Sequence, residues 1–288
     1  MKPIKIITDT CSDISVEDSK KYGIELLPVH IIFGDKEYLD RYEIGTKEFY
    51  EKLQTSEIHP KTAQITVMEH TDAFMKYADD YTIIHIPMSA YASGTYQSAC
   101  LARNNVLDEK EDAKIYIYEN CQLSYGYGAW VIEAAKMAAD GCSADEILKM
   151  LDEKIKNTEI LFSVATLDYL QKGGRISSAS KLIANAFDIS PILCVEGGLV
   201  VSKEKVRGSK KVVSKIVSML SENASLNPED KIYVMHGNDE SAAQKLIDKI
   251  RENTQFTNIQ TGCIGPCIGI HAGPGVFGVI YQKQNWQF

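Results

Sequence analysis

The residues with the most chemical promise are a small polar loop and three side chains far from it in sequence. The loop is Ser89-Ala-Tyr-Ala-Ser93-Gly94-Thr95, and it follows the apolar, β-branched run Thr82-Ile-Ile-His-Ile86. Beyond Thr95, the positions Ala99, Cys100, Ala102, Arg103 and Val106 have helical character. This predicts a buried strand, a loop and a helix, with Ser93 where an N-cap belongs. The first amides of a helix lack intrahelical partners, and its dipole favours negative charge. A Ser/Gly/Thr loop there can hold an anion, and Gly94 lets a ligand approach the backbone. The plainer role for Ser93 is to cap the helix. Arg175 follows Gly173-Gly174, and its planar guanidinium suits a carboxylate or phosphate. Its plainer role is to cap or to bridge domains. His271 lies between Cys267-Ile-Gly-Ile and Ala-Gly-Pro-Gly, where a satisfied strand-end histidine is the ordinary reading. Thr62, by itself, is a loop hydroxyl suited to a local turn bond.

These residues need elements to position them. Strand patterns over 3–8, 82–86 and 114–118 alternate with helical patterns over 16–22, 67–77, from Thr95, 128–139 and from Ser143. Such alternation predicts βαβ units and a parallel sheet. An apolar run over 26–33 and a Gly34-Asp35 turn into 36–39 predict a hairpin, Thr46 caps a helix over 47–54, and 59–64 reads as a loop. The rhythm changes near Asn157. Beyond it come a strand over 160–165, helices over 166–171 and 177–187, and a hairpin from 192–195 to 199–202. A helix over 209–221, a strand over 232–235, a helix over 241–253 and strands over 259–270 and 276–282 complete the chain. The expected organisation is an α/β protein of two domains. Residues 1–157 form a parallel-sheet N-terminal domain, and residues 158–288 a mixed α/β C-terminal domain.

Composition narrows the function. With 288 residues the chain can bury two cores, and 44% hydrophobic against 24% charged residues is ordinary for a globular protein. Thirty-nine acidic and 31 basic residues leave a net charge of −8, which argues against a nucleic-acid partner. There is no apolar leader and no run long enough to span a bilayer, so the expectation is a cytoplasmic protein with room only for transient membrane contact. Seven scattered cysteines without a C-x-x-C read as reduced thiols. Six scattered histidines without an H-E-x-x-H give no metal site. Gly273-Pro-Gly275-Val-Phe-Gly278 matches G-x-G-x-x-G literally. It precedes a strand pattern, not a helix, and carries a proline, so a dinucleotide site is rejected. No phosphate loop of the G-x-x-x-x-G-K-[ST] kind occurs.

The segment Ser93-Gly-Thr-Tyr-Gln-Ser-Ala99 resembles the loop of the DegV family of bacterial lipid-binding proteins. Further matching segments run through the chain. They are Ile7-Thr-Asp-Thr-Cys-Ser-Asp13, Leu27-Pro-Val29, Pro60-Lys-Thr-Ala-Gln64 and Asp168-Tyr-Leu-Gln-Lys-Gly-Gly-Arg-Ile-Ser177. Pro191-Ile-Leu193, Lys205-Val-Arg-Gly208 and His271-Ala-Gly-Pro-Gly275 follow in order. The resemblance implies a non-catalytic protein that binds a long-chain fatty acid between two α/β domains. It also implies a separate fatty acid kinase as partner, with the acyl phosphate entering phospholipid synthesis. No cofactor is implied beyond the bound fatty acid. The implied head-group residues are Thr62, Ser93, Gly94, Arg175 and His271. Thr62 aligns with the first threonine of the family's Thr-Ser-Gln-Pro-Ser loop, and His271 with the histidine facing the lipid head group. There are departures: Thr62-Ala-Gln-Ile-Thr66 stands for that loop, Met88-Ser89 for a Ser-Ser pair, and Glu119-Asn120 for an Asp-Ser pair.

Two alternatives remain beside this reading. Ser93, an intervening carboxylate and His271 occur in the chain order of a serine acyl hydrolase, but Ser93 lies in Tyr-Ala-Ser-Gly-Thr and lacks the G-x-S-x-G elbow. The other alternative is a regulatory module that stores or senses lipid.

Overall fold

The computed structural model describes residues 2–176 and 189–284. The helix expected over 177–187 lies outside the described residues. In chain order the elements begin with β1 (Ile4–Asp9), α1 (Val16–Lys21), β2 (Glu25–Leu27), β3 (His30–Phe33), β4 (Lys36–Leu39), α2 (Thr46–Thr55) and β5 (Lys61–Ala63). Next come α3 (Val67–Met75), β6 (Thr82–Ile86), α4 (Thr95–Glu109), β7 (Ile115–Ile117), α5 (Tyr125–Ala139) and α6 (Ala144–Lys156). The rest are β8 (Thr158–Ser163), α7 (Asp168–Lys172), β9 (Ile189–Glu196), β10 (Leu199–Arg207), α8 (Val212–Asn223), β11 (Ile232–His236), α9 (Glu240–Asn253), β12 (Ile259–Cys263), α10 (Pro266–Ala272) and β13 (Phe277–Gln282). None of these helices is long and apolar enough to cross a membrane.

The chain divides into two compact units. The first comprises Met1–Gly45 with Pro60–Ile155, and the second Thr46–His59 with Lys156–Phe288. This differs from the single boundary at residue 157 expected from the sequence, which places α2 in the first half. Helix α2 instead buries Phe49, Tyr50 and Leu53 within the second unit. The Tyr50 hydroxyl donates to the Ile264 carbonyl at 3.2 Å, and Gly269 of α10 leaves space for Phe49 and Tyr50. An amphipathic helix goes where its apolar face is covered, and sequence order does not say where that is.

The first unit holds a parallel four-stranded sheet in the order β2-β1-β6-β7, as the alternating pattern predicts. All five residues of β6 are buried, the signature of a strand covered on both faces. A separate antiparallel sheet has the order β4-β3-β5. The apolar run over 26–33 is therefore two strands in two sheets, broken at Pro28-Val29. Part of the segment read as a loop over 59–64 is β5, where Thr62 pairs with Ile31.

The buried Asp9 ties this unit together. Its carboxylate accepts the Cys11 amide at 3.0 Å, the Met88 amide at 2.7 Å and the Tyr127 hydroxyl at 2.6 Å. Burial pushes Asp9 above the usual carboxylate range, and those three donors oppose the shift.

The second unit holds a six-stranded mixed sheet in the order β10-β9-β8-β13-β11-β12, with only β11 and β12 parallel. Helices α8 and α9 pack on it around Ile216, Leu220, Leu246 and Ile250. The strand expected over 259–270 stops at Cys263. Gly265 and Pro266 then start α10, because proline at the first helical turn loses no needed hydrogen bond. The Gly273–Gly278 stretch accordingly runs from the end of α10 into β13.

Two buried histidines of the first unit set its response to acid. His70 Nδ1 lies 2.9 Å from the Thr66 carbonyl, and His85 Nδ1 lies 3.2 Å from the Ile7 carbonyl. A carbonyl only accepts, so each Nδ1 carries the proton. Among the described residues neither Nε2 has a hydrogen-bond partner, and the rings lie 5.2 Å apart. Burial lowers both, His85 most, with His70 adding to the depression of His85. The unfolded chain takes up these protons near the ordinary histidine pKa, while the folded chain does so only at lower pH. Stability is therefore lost as pH falls below about 6.5, by up to roughly 1.4 kcal/mol per pH unit for each histidine. We predict that His85→Phe loses less of its urea midpoint between pH 7 and pH 5 than the parent does. Equal losses in parent and variant would refute this account.

Candidate functional site

The polar loop after β6 is braced by side chains remote in sequence that bond its backbone. The Glu119 carboxylate accepts the Ala90 amide at 2.9 Å and the Cys121 amide at 2.8 Å. Asn120 donates its side-chain amide to the Pro87 carbonyl and accepts the Gln122 amide at 2.7 Å. The two departures from the family pattern at 119 and 120 thus brace the loop in this chain. Within it, the Ser89 carbonyl receives the amides of Ala92 and Ser93 at 3.1 and 3.2 Å.

Helix α4 begins one residue later than the sequence suggests. Gly94 is its N-cap and makes no side-chain cap bond. The Ser93 hydroxyl instead accepts the Thr95 amide at 3.2 Å and lies 3.0 Å from the Thr95 hydroxyl. A serine can bond two residues ahead as readily as cap, and the αR conformation of Gly94 selects the former. The amides of Tyr96 and Gln97 precede the first bond of the helix, Ser98 N–H to Gly94 C=O at 3.0 Å. That end offers the donors an anion needs.

Gln64 completes this end of the site, and it was not among the expected site residues. A Cβ at Gly94 would lie 1.9 Å from Gln64 Oε1, so glycine is required for the approach. Gln64 also donates from Nε2 to the Ser98 hydroxyl at 2.8 Å. Thr62 lies two residues earlier on β5, half-buried, so Thr62, Ser93 and Gly94 all belong to the first unit. The signal in the sequence was a glycine at a helix start, which permits close approach without naming the neighbour.

The other two expected residues belong to the second unit, where they meet around Gly173. Helix α7 ends at Gly173, and Gly174 turns the chain with φ +70°. Arg175 then folds back, donating from Nη1 to the Gly173 carbonyl at 2.7 Å, with its side chain exposed. His271 stands in the last turn of α10, not at a strand end. A Cβ at Gly173 would lie 2.1 Å from His271 Nδ1, so the ring rests on bare backbone. Burial, then Arg175, then His59 push His271 down to about 4, so it is a neutral imidazole at pH 7. The ring of His59 lies 5.7 Å from that of Tyr169 on α7. Among the described residues no group of three or more His, Cys, Asp or Glu is placed to hold a metal ion. None of the seven cysteines forms a disulfide.

Taken together, the fold is that of a two-unit α/β protein with polar groups at the start of α4 in one unit and around Gly173 in the other. The model of the DegV family, described as an uncharacterised protein family, matches residues 3–284. A DegV domain-containing protein of Clostridium acetobutylicum is 34% identical over 288 residues, covering 99% of this chain and all of the relative. The chain belongs to the DegV family. Among solved structures, DegV of Bacillus subtilis, described as a fatty acid binding protein, has a TM-score of 0.86 at 28% identity and covers 99% of this chain and 100% of its own. A Thermotoga maritima protein described as revealing fatty acid binding function has a TM-score of 0.83 at 27% identity, with 99% and 100% covered. A Thermus thermophilus DegV protein has the same fold, with a TM-score of 0.89 at 24% identity over 98% of this chain and 100% of its own.

The packing of Gln64 on Gly94 can be tested by a double-mutant cycle. Gly94→Ala should cost about 1–2 kcal/mol by displacing Gln64 and its bond to Ser98. In a Gln64→Ala background the same change should cost clearly less, because the obstructing side chain is gone. Urea denaturation of the four proteins measures both costs, and strict additivity would show that the two residues do not interact.

Proposed function

We propose that this chain is a cytoplasmic carrier that binds a long-chain fatty acid and presents it to a separate fatty acid kinase. The carboxylate is held at the N-terminal end of α4 by Ser93 and Gly94, with Thr62, Arg175 and His271 as further head-group residues. The full-length likeness to DegV of Bacillus subtilis, described as a fatty acid binding protein, carries this reading. The donors at the start of α4 support it on chemical grounds.

Energetics assign different tasks to tail and head. Each buried methylene contributes about 0.8 kcal/mol, so a tail of about fifteen contributes roughly 12 kcal/mol before the costs of association. A charge-assisted hydrogen bond adds roughly 1.5–3 kcal/mol. The tail supplies most of the affinity, and the polar residues fix where the carboxylate lies. The kinase supplies nucleotide and metal, and this chain orients the carboxylate for attack on the phosphoryl donor. The acyl phosphate then enters phospholipid synthesis. The chain itself is not a catalyst in this scheme.

Native mass spectrometry of the purified chain should show one fatty acid per protein, removed by organic extraction and taken up again on addition. A protein that is bare as purified and takes up no fatty acid would sink the carrier reading. Given ATP, magnesium and fatty acid, acyl phosphate should form only when a cognate kinase is added. Its formation by this chain alone would overturn the division of labour. Ser93→Ala should weaken binding by less than about tenfold, since backbone amides and tail contacts persist. Arg175→Ala and His271→Ala should reduce acyl-phosphate formation with the kinase more than they reduce affinity.

A further inference from the structure

One histidine of the first unit fastens both ends of the segment that carries Gln64. Strand β5 ends at Ala63 and the N-cap of α3 is Thr66, so only Gln64 and Ile65 lie between them. Fixing both ends leaves so short a link little freedom. At the first end, His30 of β3 pairs with Ala63. At the second, Glu69 closes a capping box, its Oε2 accepting the Thr66 amide at 2.8 Å and the Thr66 hydroxyl at 2.6 Å. The other oxygen of Glu69, Oε1, lies 2.9 Å from His30 Nε2. From the link held in this way, Gln64 reaches Ser98 and lies over Gly94 at the start of α4. All of these residues belong to the first unit.

The His30 ring stands between two carboxylates. Its Nδ1 is shielded from solvent and lies 2.5 Å from Glu37 Oε1 on β4, an ion-pair contact off the line of a hydrogen bond. Residues 30 and 32 share a face of β3, and Ile32 pairs with Glu37 on one side and Lys61 on the other. That face therefore receives an acid from β4 and an exposed lysine from β5, while α3 contributes Glu69. Burial alone would raise Glu69, but the Thr66 bonds, and after them His30, hold it below its ordinary value. A neutral imidazole has a single N–H, and its other nitrogen would set a lone pair against a carboxylate oxygen. Both contacts attract only when the ring carries two protons.

We propose that His30 is a positioning residue for the α4 end of the ligand site: doubly protonated, it holds Glu37 and Glu69 together with the link that carries Gln64, and loss of one proton to solvent loosens that link. This rests on the carrier reading above, and His30 itself does not touch the ligand. The fastened link favours the ligand, and by linkage the ligand favours the fastened link. Affinity therefore falls as pH rises through the titration of His30. The expected fall is about two- to fivefold, the scale of one partly exposed ion pair.

The test uses the full chain, stripped of bound lipid, with dodecanoate as probe. Affinity is measured from about pH 6 to about pH 9 for the parent, His30→Gln and Glu37→Gln. The other histidines titrate in all three proteins, so the difference between parent and variant isolates His30. In the lipid-free parent, the NMR signals of the Gln64 side-chain amide should shift with the same midpoint as the His30 ring, and in His30→Gln they should not. Parent affinity should step down through that midpoint, and His30→Gln should lack the step. Glu37→Gln offers the neutral ring a donor and should flatten the step as well. If the Gln64 signals do not follow the His30 ring, or if both variants keep the step of the parent, the role of His30 is overturned and the carrier reading stands. If the parent binds no dodecanoate at any pH, both fall.

Discussion

A carboxylate buried beyond the reach of water must be satisfied by the protein or it will not stay charged, and Asp9 sets that constraint for the first unit. Its three donors come from the turn after β1, from the start of the loop that leads to Ser93, and from α5. Satisfying one side chain therefore brings the turn after β1 into register with two remote parts of the chain. The neighbouring Asp13 repeats the device, accepting from Arg41 at 2.6 Å and from the Ser124 hydroxyl. Burying a hydrogen-bonded ion pair adds little net stability, but breaking one leaves a stranded charge. Such groups specify arrangement, and here the arrangement they specify is the frame of the polar loop.

Both sets of candidate residues rely on the same physical device, a glycine that lets a polar side chain lie on the main chain. Gln64 does this at Gly94 and His271 at Gly173. The substitutions at 119 and 120 show how much freedom such a loop retains. Glutamate and asparagine are not the family's aspartate and serine, yet Glu119 accepts the Ala90 amide and Asn120 donates to the Pro87 carbonyl. The backbone of the loop has to be held, and several side chains can hold it.

The two units answer protons differently. In the first, His70 and His85 are neutral because they are packed away without second partners, and protonation there works against the fold. In the second, burial first and then neighbouring positive groups lower His59 and His271.

Much of the architecture is legible in the residues alone. The β-branched run at 82–86, the Gly34-Asp35 turn and the alternation of strand and helix patterns through residue 156 follow local rules, and the structure keeps to them. The start of α4 was legible too, from a Ser/Gly/Thr loop before a helical pattern, although the cap falls on Gly94. Pro266 after Gly265 was a readable start for α10, and the apolar residues around it concealed it. Other features could not be read locally. The placement of α2 depends on which apolar surface covers Phe49 and Tyr50, and that surface is supplied some 200 residues away, by Ile264 and Gly269. Gln64 on Gly94, and His59 beside Tyr169, are likewise contacts between segments that share no periodicity. Sequence determines local conformation because steric and hydrogen-bonding preferences act within a few residues. Which groups share a site is decided by packing, which joins residues the chain order keeps apart.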